Sequence, residues 1–351
     1  MNKLTIFLIL IAYSFSLHAK PPILSSKELK NHPPRVTRTC CAFGTKMKLV
    51  VLPFIKLNHV IEFNNLGSHH YLGHRDEGNG ILYSEKGGFI DLGHVREWAD
   101  WTAFLYLHVL EVANDPSSKK KLGIEGGMRF LELQNIENLD TENRIKLAGK
   151  IAFDMSLWHE IATGYGVSVA PFISEKFSSF SAEDIYSNML GIELSMQALQ
   201  SPLDFEIAMT NLLNEKLLAL GVVSKLEDTY AAFEQVESIW WSSDYGIPRN
   251  KVTLKRNYFE TECIVPWVLP NQDTRIIPDE LEVPVSTIVG MAFSNCYILT
   301  IRPNRKIPVH KVLPKHPGRK ISQKQFEYFT DDVRILFNKS DVKRANKLKQ
   351  V

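Results

Sequence analysis

Residues 91–114 read DLGHVREWADWTAFLYLHVLEVAN, and residues 141–166 read TENRIKLAGKIAFDMSLWHEIATGYG. In the first stretch Leu92, Val95, Trp98, Trp101, Phe104, Leu105, Leu107, Val109 and Leu110 cover nearly every side of a helix. A helix apolar all round belongs in the middle of a domain. Asp91 is predicted as its N-cap, being a short acceptor just ahead of the apolar run. The second stretch carries a stripe of Ile145, Ala148, Ile151, Ala152, Met155, Trp158 and Ala162, and Tyr165-Gly166 supplies its stop.

Outward from these two helices the pattern changes. Upstream, Lys48 to Lys56, His59 to Phe63 and Ile81 to Ser84 are short runs of Val, Ile and Leu bounded by turn residues, which predicts strands. A histidine-bearing loop, 64–79, separates them, and Gly87-Gly88 turns the chain. Between the two helices, Met128 to Leu133 alternates as a strand. Downstream come three more predicted helices: Ser181 to Leu199, opened by a capping box of Ser181 and Asp184, then Pro202 to Leu220 and Ser224 to Trp241. Proline-punctuated strands return after residue 252, among them Cys263 to Leu269 and Val285 to Val289. Strands, then helices, then strands without regular alternation predict an α+β fold. Its central buried helices are flanked by short strands from the N- and C-terminal parts.

The chemistry lies in what the apolar helices carry. A charged group taken out of water must be paired, metal-bound or neutralised by a shifted pKa. Asp91, His94 and Glu97 succeed one another at intervals of three, so neighbours share a face, and the stripe continues through Trp101 to His108. On the second helix His159 and Glu160 are adjacent and therefore point about 100° apart, one able to face a metal while the other reaches a substrate or water. The zinc-protease pattern His-Glu-x-x-His is broken here, because its second histidine position holds Thr163.

A metal site would then form between helices, with His94 and Asp91 from one and His159 or Glu160 from the other; the first choice is Zn2+ held by His94 and His159 with Asp91 or a loop histidine such as His70, His74 ranking beside it. Glu160 would be the general base, with His159 and His94 completing the catalytic set, and a metal-free acid–base site is the close variant. The other reading is a buried salt-bridged network that only joins the helices. Asp184 or Asn188, at the head of the third helix, would lie near the same centre. Cys40-Cys41 suggests a thiol nucleophile less well than a disulfide, since strand rather than a helix N-terminus follows it. Gly123-Ile124-Glu125-Gly126-Gly127 lacks a phosphate-cradling spacing and reads as a turn.

The N-terminus has Lys3, an apolar run from Leu4 to Ser16 and the small-residue exit Leu17-His18-Ala19. That is the pattern of a secretory signal, too short for a membrane span, so residues 1–19 are predicted to be removed after Ala19 and the protein to be periplasmic or secreted. Residues 20–314 then form one domain, and residues 315–351 a basic helical tail. Within residues 311–351, eleven Lys or Arg stand against four Asp or Glu. The tail reads either as a docking patch for an anionic surface or as a solvated helix packed on one face by Phe326, Phe329, Val333, Leu336 and Phe337. The main body is acidic and no nucleic-acid signature is present, which argues against a nucleic-acid partner. Four cysteines in an exported chain suggest a disulfide, with Cys263 to Cys296 the preferred pairing because a vicinal Cys40–Cys41 bridge is strained.

Four blocks together carry a resemblance. They are Arg38 to Gly44 (RTCCAFG), residues 87–102 (GGFIDLGHVREWADWT), Trp158 to Thr163 (WHEIAT) and Glu183 to Asn188 (EDIYSN). In this order they resemble the bacterial family termed domain of unknown function 4056, over about residues 34–300. The resemblance implies an exported, envelope-associated protein and assigns no reaction or catalytic residue. The expectation is therefore a cell-envelope hydrolase, metal-dependent or acid–base. The alternative is a non-enzymatic envelope protein with a buried His/Glu/Asp network.

Overall fold

The computed structural model describes residues 38, 42–45, 59–114, 119–167, 176, 178–241, 251–259, 261–287 and 289–348. The predicted leader 1–19, the strand at 48–56 and the Cys40-Cys41 pair lie outside these residues. Strands β1 (Ile81–Ser84) and β2 (Gly88–Asp91) form an antiparallel hairpin with Ser84 opposite Gly88. Gly88 adopts a left-handed φ of +64°, and a Cβ there would meet the Trp267 carbonyl oxygen at 2.3 Å. A residue with a side chain would force the hairpin off that loop.

Strand β2 runs directly into α1 (Leu92–Asn114). Asp91 ends the strand and caps the helix, its Oδ1 accepting from the N–H groups of Gly93 at 2.7 Å and His94 at 3.4 Å. After β3 (Lys120–Lys121) and β4 (Gly127–Leu133) comes α2 (Thr141–Gly164), capped by Asp140, which accepts from the Asn143 N–H. Helix α3 (Asp184–Gln200) completes a central trio with α1 and α2, and α4 (Phe205–Ala219) and α5 (Leu226–Gln235) follow it. Short strands β5 (Cys263–Ile264) and β6 (Leu281–Glu282) pair with each other. The long β7 (Tyr297–Pro303) pairs antiparallel with β4 in full register, from Gly127 opposite Pro303 to Leu133 opposite Tyr297. After the short α6 (Val309–Val312), β8 (Ile321–Ser322) joins the edge of that sheet, whose order is β3-β4-β7-β8. The α+β architecture is thus observed, with the four-stranded sheet built from strands between α1 and α2 and from the C-terminal part of the chain, and packed against the central helices.

One core joins these layers: Val95, Trp98 and Leu105 of α1, Ile151, Met155 and Trp158 of α2, Ile185 and Met189 of α3, and Leu131, Leu299 and Ile301 of the sheet. Gly191 sets the approach of α3 to α1, since a Cβ there would stand 2.0 Å from the Val95 carbonyl oxygen. Alanine normally favours a helix over glycine by about 1 kcal/mol. Here the obstacle is backbone and cannot rotate away, so Gly191→Ala should lower stability by a net ~1–3 kcal/mol, read from the urea midpoint.

Several sequence expectations are corrected. His59 to Phe63 is not a strand: Val60 makes one isolated parallel bridge to Ile81, and Phe63–Asn65 is a 3-10 turn. Among the described residues of Val285 to Val289 no strand is assigned; Pro284 precedes them, and Ser286 makes an isolated antiparallel bridge to Ala292 across the turn at Gly290. Cys263 and Cys296 are free thiols, one on the β5–β6 pair and the other ahead of β7 in a different sheet. The tail set apart at residue 315 is continuous with the fold in its first half. Ile321, Phe326, Phe329 and Val333 are buried, and helix α7 (Phe326–Leu348) lays Phe326 against Trp158, ring centroids 5.1 Å apart. Apolar residues at helical spacing on α7 gave that helix a partner face on α2. No helix among the described residues is long and apolar enough to cross a membrane.

Candidate functional site

The three central helices bring their polar residues to one junction. His94 lies in the first turn of α1, His159 and Glu160 near the end of α2, and Glu183 and Asp184 at the head of α3. One ligand atom each from His94, Glu160 and Asp184 lies within 4.8 Å of the others, and all three residues are buried. His94 Nδ1 is 3.6 Å from Asp184 Oδ1. The rings of His94 and His159 meet edge to face with centroids 6.0 Å apart.

A left-handed loop residue anchors the two carboxylates. Phe180 has φ +54°, an outlier for a bulky side chain, and Thr253 holds it by donating to its carbonyl at 2.6 Å. Successive N–H groups then diverge, Phe180 donating to Glu160 Oε2 at 2.7 Å and Ser181 to Asp184 Oδ2 at 2.5 Å. The predicted capping box is therefore half formed, because the Ser181 hydroxyl donates to the Ser178 carbonyl and α3 starts at Asp184. Each carboxylate keeps its second oxygen for the junction. Glu160 Oε1 is buried without a hydrogen-bond partner among the described residues.

At the rim of the junction His159 Nδ1 pairs with Glu125 Oε1 at 2.5 Å. Burial alone favours a neutral imidazole, but Glu125, with Glu160 and Glu97 behind it, pushes His159 up to about 10. Glu97 is raised above the usual carboxylate range, first by burial and then by the Glu125 charge. Glu183 is held well above that range by burial and by Asp184, Asp91 and Glu160 around it. The His159 and Glu125 side chains are 11% and 12% exposed, whereas His94 and Asp184 are 4% and 1%. The junction therefore has a deep end and a solvent-facing end.

The sequence reading of this site is partly redrawn. His94, His159, Glu160 and Asp91 do converge, Asp91 acting as cap and raising Glu183 through its charge. His70 does not reach the junction. It is about one-third exposed, its Nδ1 lies 3.5 Å from Glu206 of α4, and its ring is tilted 52° to that of His74, centroids 4.8 Å apart. Thr163 is no ligand, since its hydroxyl donates back to the carbonyls of His159 and Glu160. His108 sits apart beside Glu111 at 3.2 Å. Glu125 was missed because a glycine-flanked turn says nothing about which helix it will face. Glu183 was missed too, although two adjacent carboxylates opening a buried helix were a readable sign.

A separate ionic knot holds the loop 64–79 on α1. Arg38 binds Glu77 at 2.8 Å and Asp100 at 2.7 Å, while His69 Nε2 lies 3.1 Å from Asp100. Burial would raise both carboxylates, yet the Arg38 guanidinium holds Glu77 and Asp100 below their ordinary values.

A polar junction of imidazoles and carboxylates between three buried helices, packed against a four-stranded antiparallel sheet, defines an α+β protein with a candidate acid–base or metal centre. The chain belongs to the family described as Protein of unknown function (DUF4056), whose model matches residues 28–270. That span contains His94, Glu125, His159, Glu160 and Asp184. No curated protein and no solved structure matches the chain.

Proposed function

We propose that this protein is an exported hydrolase of a cell-envelope substrate, with His159 and Glu125 as its proton-transfer pair. The observation that carries the reading is the 2.5 Å contact of His159 Nδ1 with Glu125 Oε1 at the solvent-facing end of the junction. A carboxylate on Nδ1 fixes the imidazole's orientation and leaves Nε2 to exchange a proton with a substrate or water. Proton transfer, assigned from sequence to Glu160, passes in this reading to His159, while Glu160 and His94 line the deep end. The leader pattern at residues 1–19 and the basic charge of residues 311–351 support an envelope location.

The test incubates the mature protein with peptidoglycan sacculi, anionic phospholipid vesicles and envelope glycan, and analyses soluble products by mass spectrometry. Product from one class, lost in His159→Gln, is the expected result; no product from any class with folded protein overturns the proposal. Fractionation of cells expressing the full chain or one lacking residues 1–19 tests export separately.

A second, non-enzymatic reading is favoured by the burial of Glu160 and His94, 1% and 3% exposed. In it the polar group ties three helices together, and Glu160→Gln costs stability without removing any turnover.

A further inference from the structure

We infer that the deep end of the junction is a divalent-metal site formed by His94, Glu160 and Asp184, one residue from each central helix. This deepens the hydrolase reading, and metal binding can be tested apart from it. Donors placed 2.0–2.2 Å from a tetrahedral ion stand about 3.4 Å from one another. His94 Nδ1 and Asp184 Oδ1 already stand at 3.6 Å, and all three donors fall within 4.8 Å. The closing movement required is small.

Three further features point to a cation rather than to a plain hydrogen-bonded network. Glu160 Oε1 is 1% exposed as a residue and has no hydrogen-bond partner among the described residues, a cost of about 1–3 kcal/mol in a closed network and more for a charge. The opposite oxygens of both carboxylates are fixed by the consecutive N–H groups of Phe180 and Ser181, which is how outer contacts orient metal ligands. The left-handed Phe180 that makes this double anchor possible is the kind of backbone outlier that clusters at functional sites.

One imidazole and two carboxylates suit Zn2+, Mn2+ or Fe2+ better than a soft-metal or an all-oxygen site. Of the ligands expected from sequence, His94 is kept, Glu160 is taken rather than His159, which is engaged by Glu125, and Asp184 stands in place of Asp91 or His70, the latter lying elsewhere. Three protein donors would leave a four-coordinate ion one further position for water or substrate.

The experiment uses the mature chain stripped with chelator and titrated with Zn2+ and, separately, Mn2+, by calorimetry and elemental analysis. One ion per chain, a raised Tm and a loss of at least tenfold in affinity in both Asp184→Asn and His94→Gln are expected. His70→Ala with His74→Ala should bind as the parent does. Co2+ substitution adds a readout independent of turnover, with intense visible bands expected from a four-coordinate N/O site. Absence of binding with no Tm change overturns the inference, as does binding lost in the His70/His74 variant or unaffected by the Asp184 and His94 changes. If either near-isosteric variant fails to fold, the parent's Tm and Co2+ spectrum decide. Turnover without metal would sink the metal site and leave the hydrolase; metal bound without turnover would do the reverse.

Discussion

In the proposed hydrolase, His159→Gln is expected to lower turnover by about 10²–10⁴-fold while leaving stability, measured by urea denaturation, within about 1 kcal/mol of the parent. The asymmetry follows from position. His159 sits at the partly exposed end, and its partner Glu125 retains Arg129 at 3.3 Å when the imidazole is gone. Glu125→Gln should act through His159, giving a smaller fall in kcat and an altered pH profile, because the imidazole loses the carboxylate that raises it. Equal loss of stability and turnover in His159→Gln would mean that the residue is part of the helix-joining network and not of a reacting centre.

Arg38→Met is expected to be the most destabilising single change at the ionic knot, costing about 3–5 kcal/mol and lowering Tm on the order of 10 °C. Arg38 sits between Glu77 and Asp100, with side chains only 2%, 1% and 7% exposed, so its removal strands two buried carboxylates. Arg96, 3.7 Å from Glu77, compensates one of them in part. The pH dependence fixes the sign. Both carboxyls are held below their unfolded values near 4, so their contribution is complete above that range and is lost as pH falls through the folded values. In Arg38→Met the same groups protonate more readily in the folded state, and the stability gap between parent and variant should shrink from pH 7 to pH 3. A gap that stays constant across that range, measured by denaturant titration, would show that lost packing and not charge explains the variant.

The elements with strong periodicity were legible before any coordinates. Helices α1 and α2 emerged within a residue or two of their predicted bounds, because each has an aspartate acceptor at its start and apolar residues that only a helix can gather. The short strands were less legible. Pairing decides them, and β4 finds its partner β7 more than 160 residues downstream. Proline placement shows where a ladder must stop but not which neighbour the chain takes.

The site divides along the same line. Sequence by itself determined that His94, His159, Glu160 and Asp91 ride on apolar helices, because the cost of burying charge makes such residues stand out. It also determined that the His-Glu-x-x-His pattern is incomplete at Thr163. Only the tertiary structure decided that Glu125 and not a loop histidine engages His159, that Asp184 joins His94 and Glu160, and that His70 belongs to Glu206. The physical reason is that helical spacing fixes directions around one axis. Which directions from three axes meet depends on how closely the axes approach, set here by Gly191 against Val95 and by the left-handed turn at Phe180.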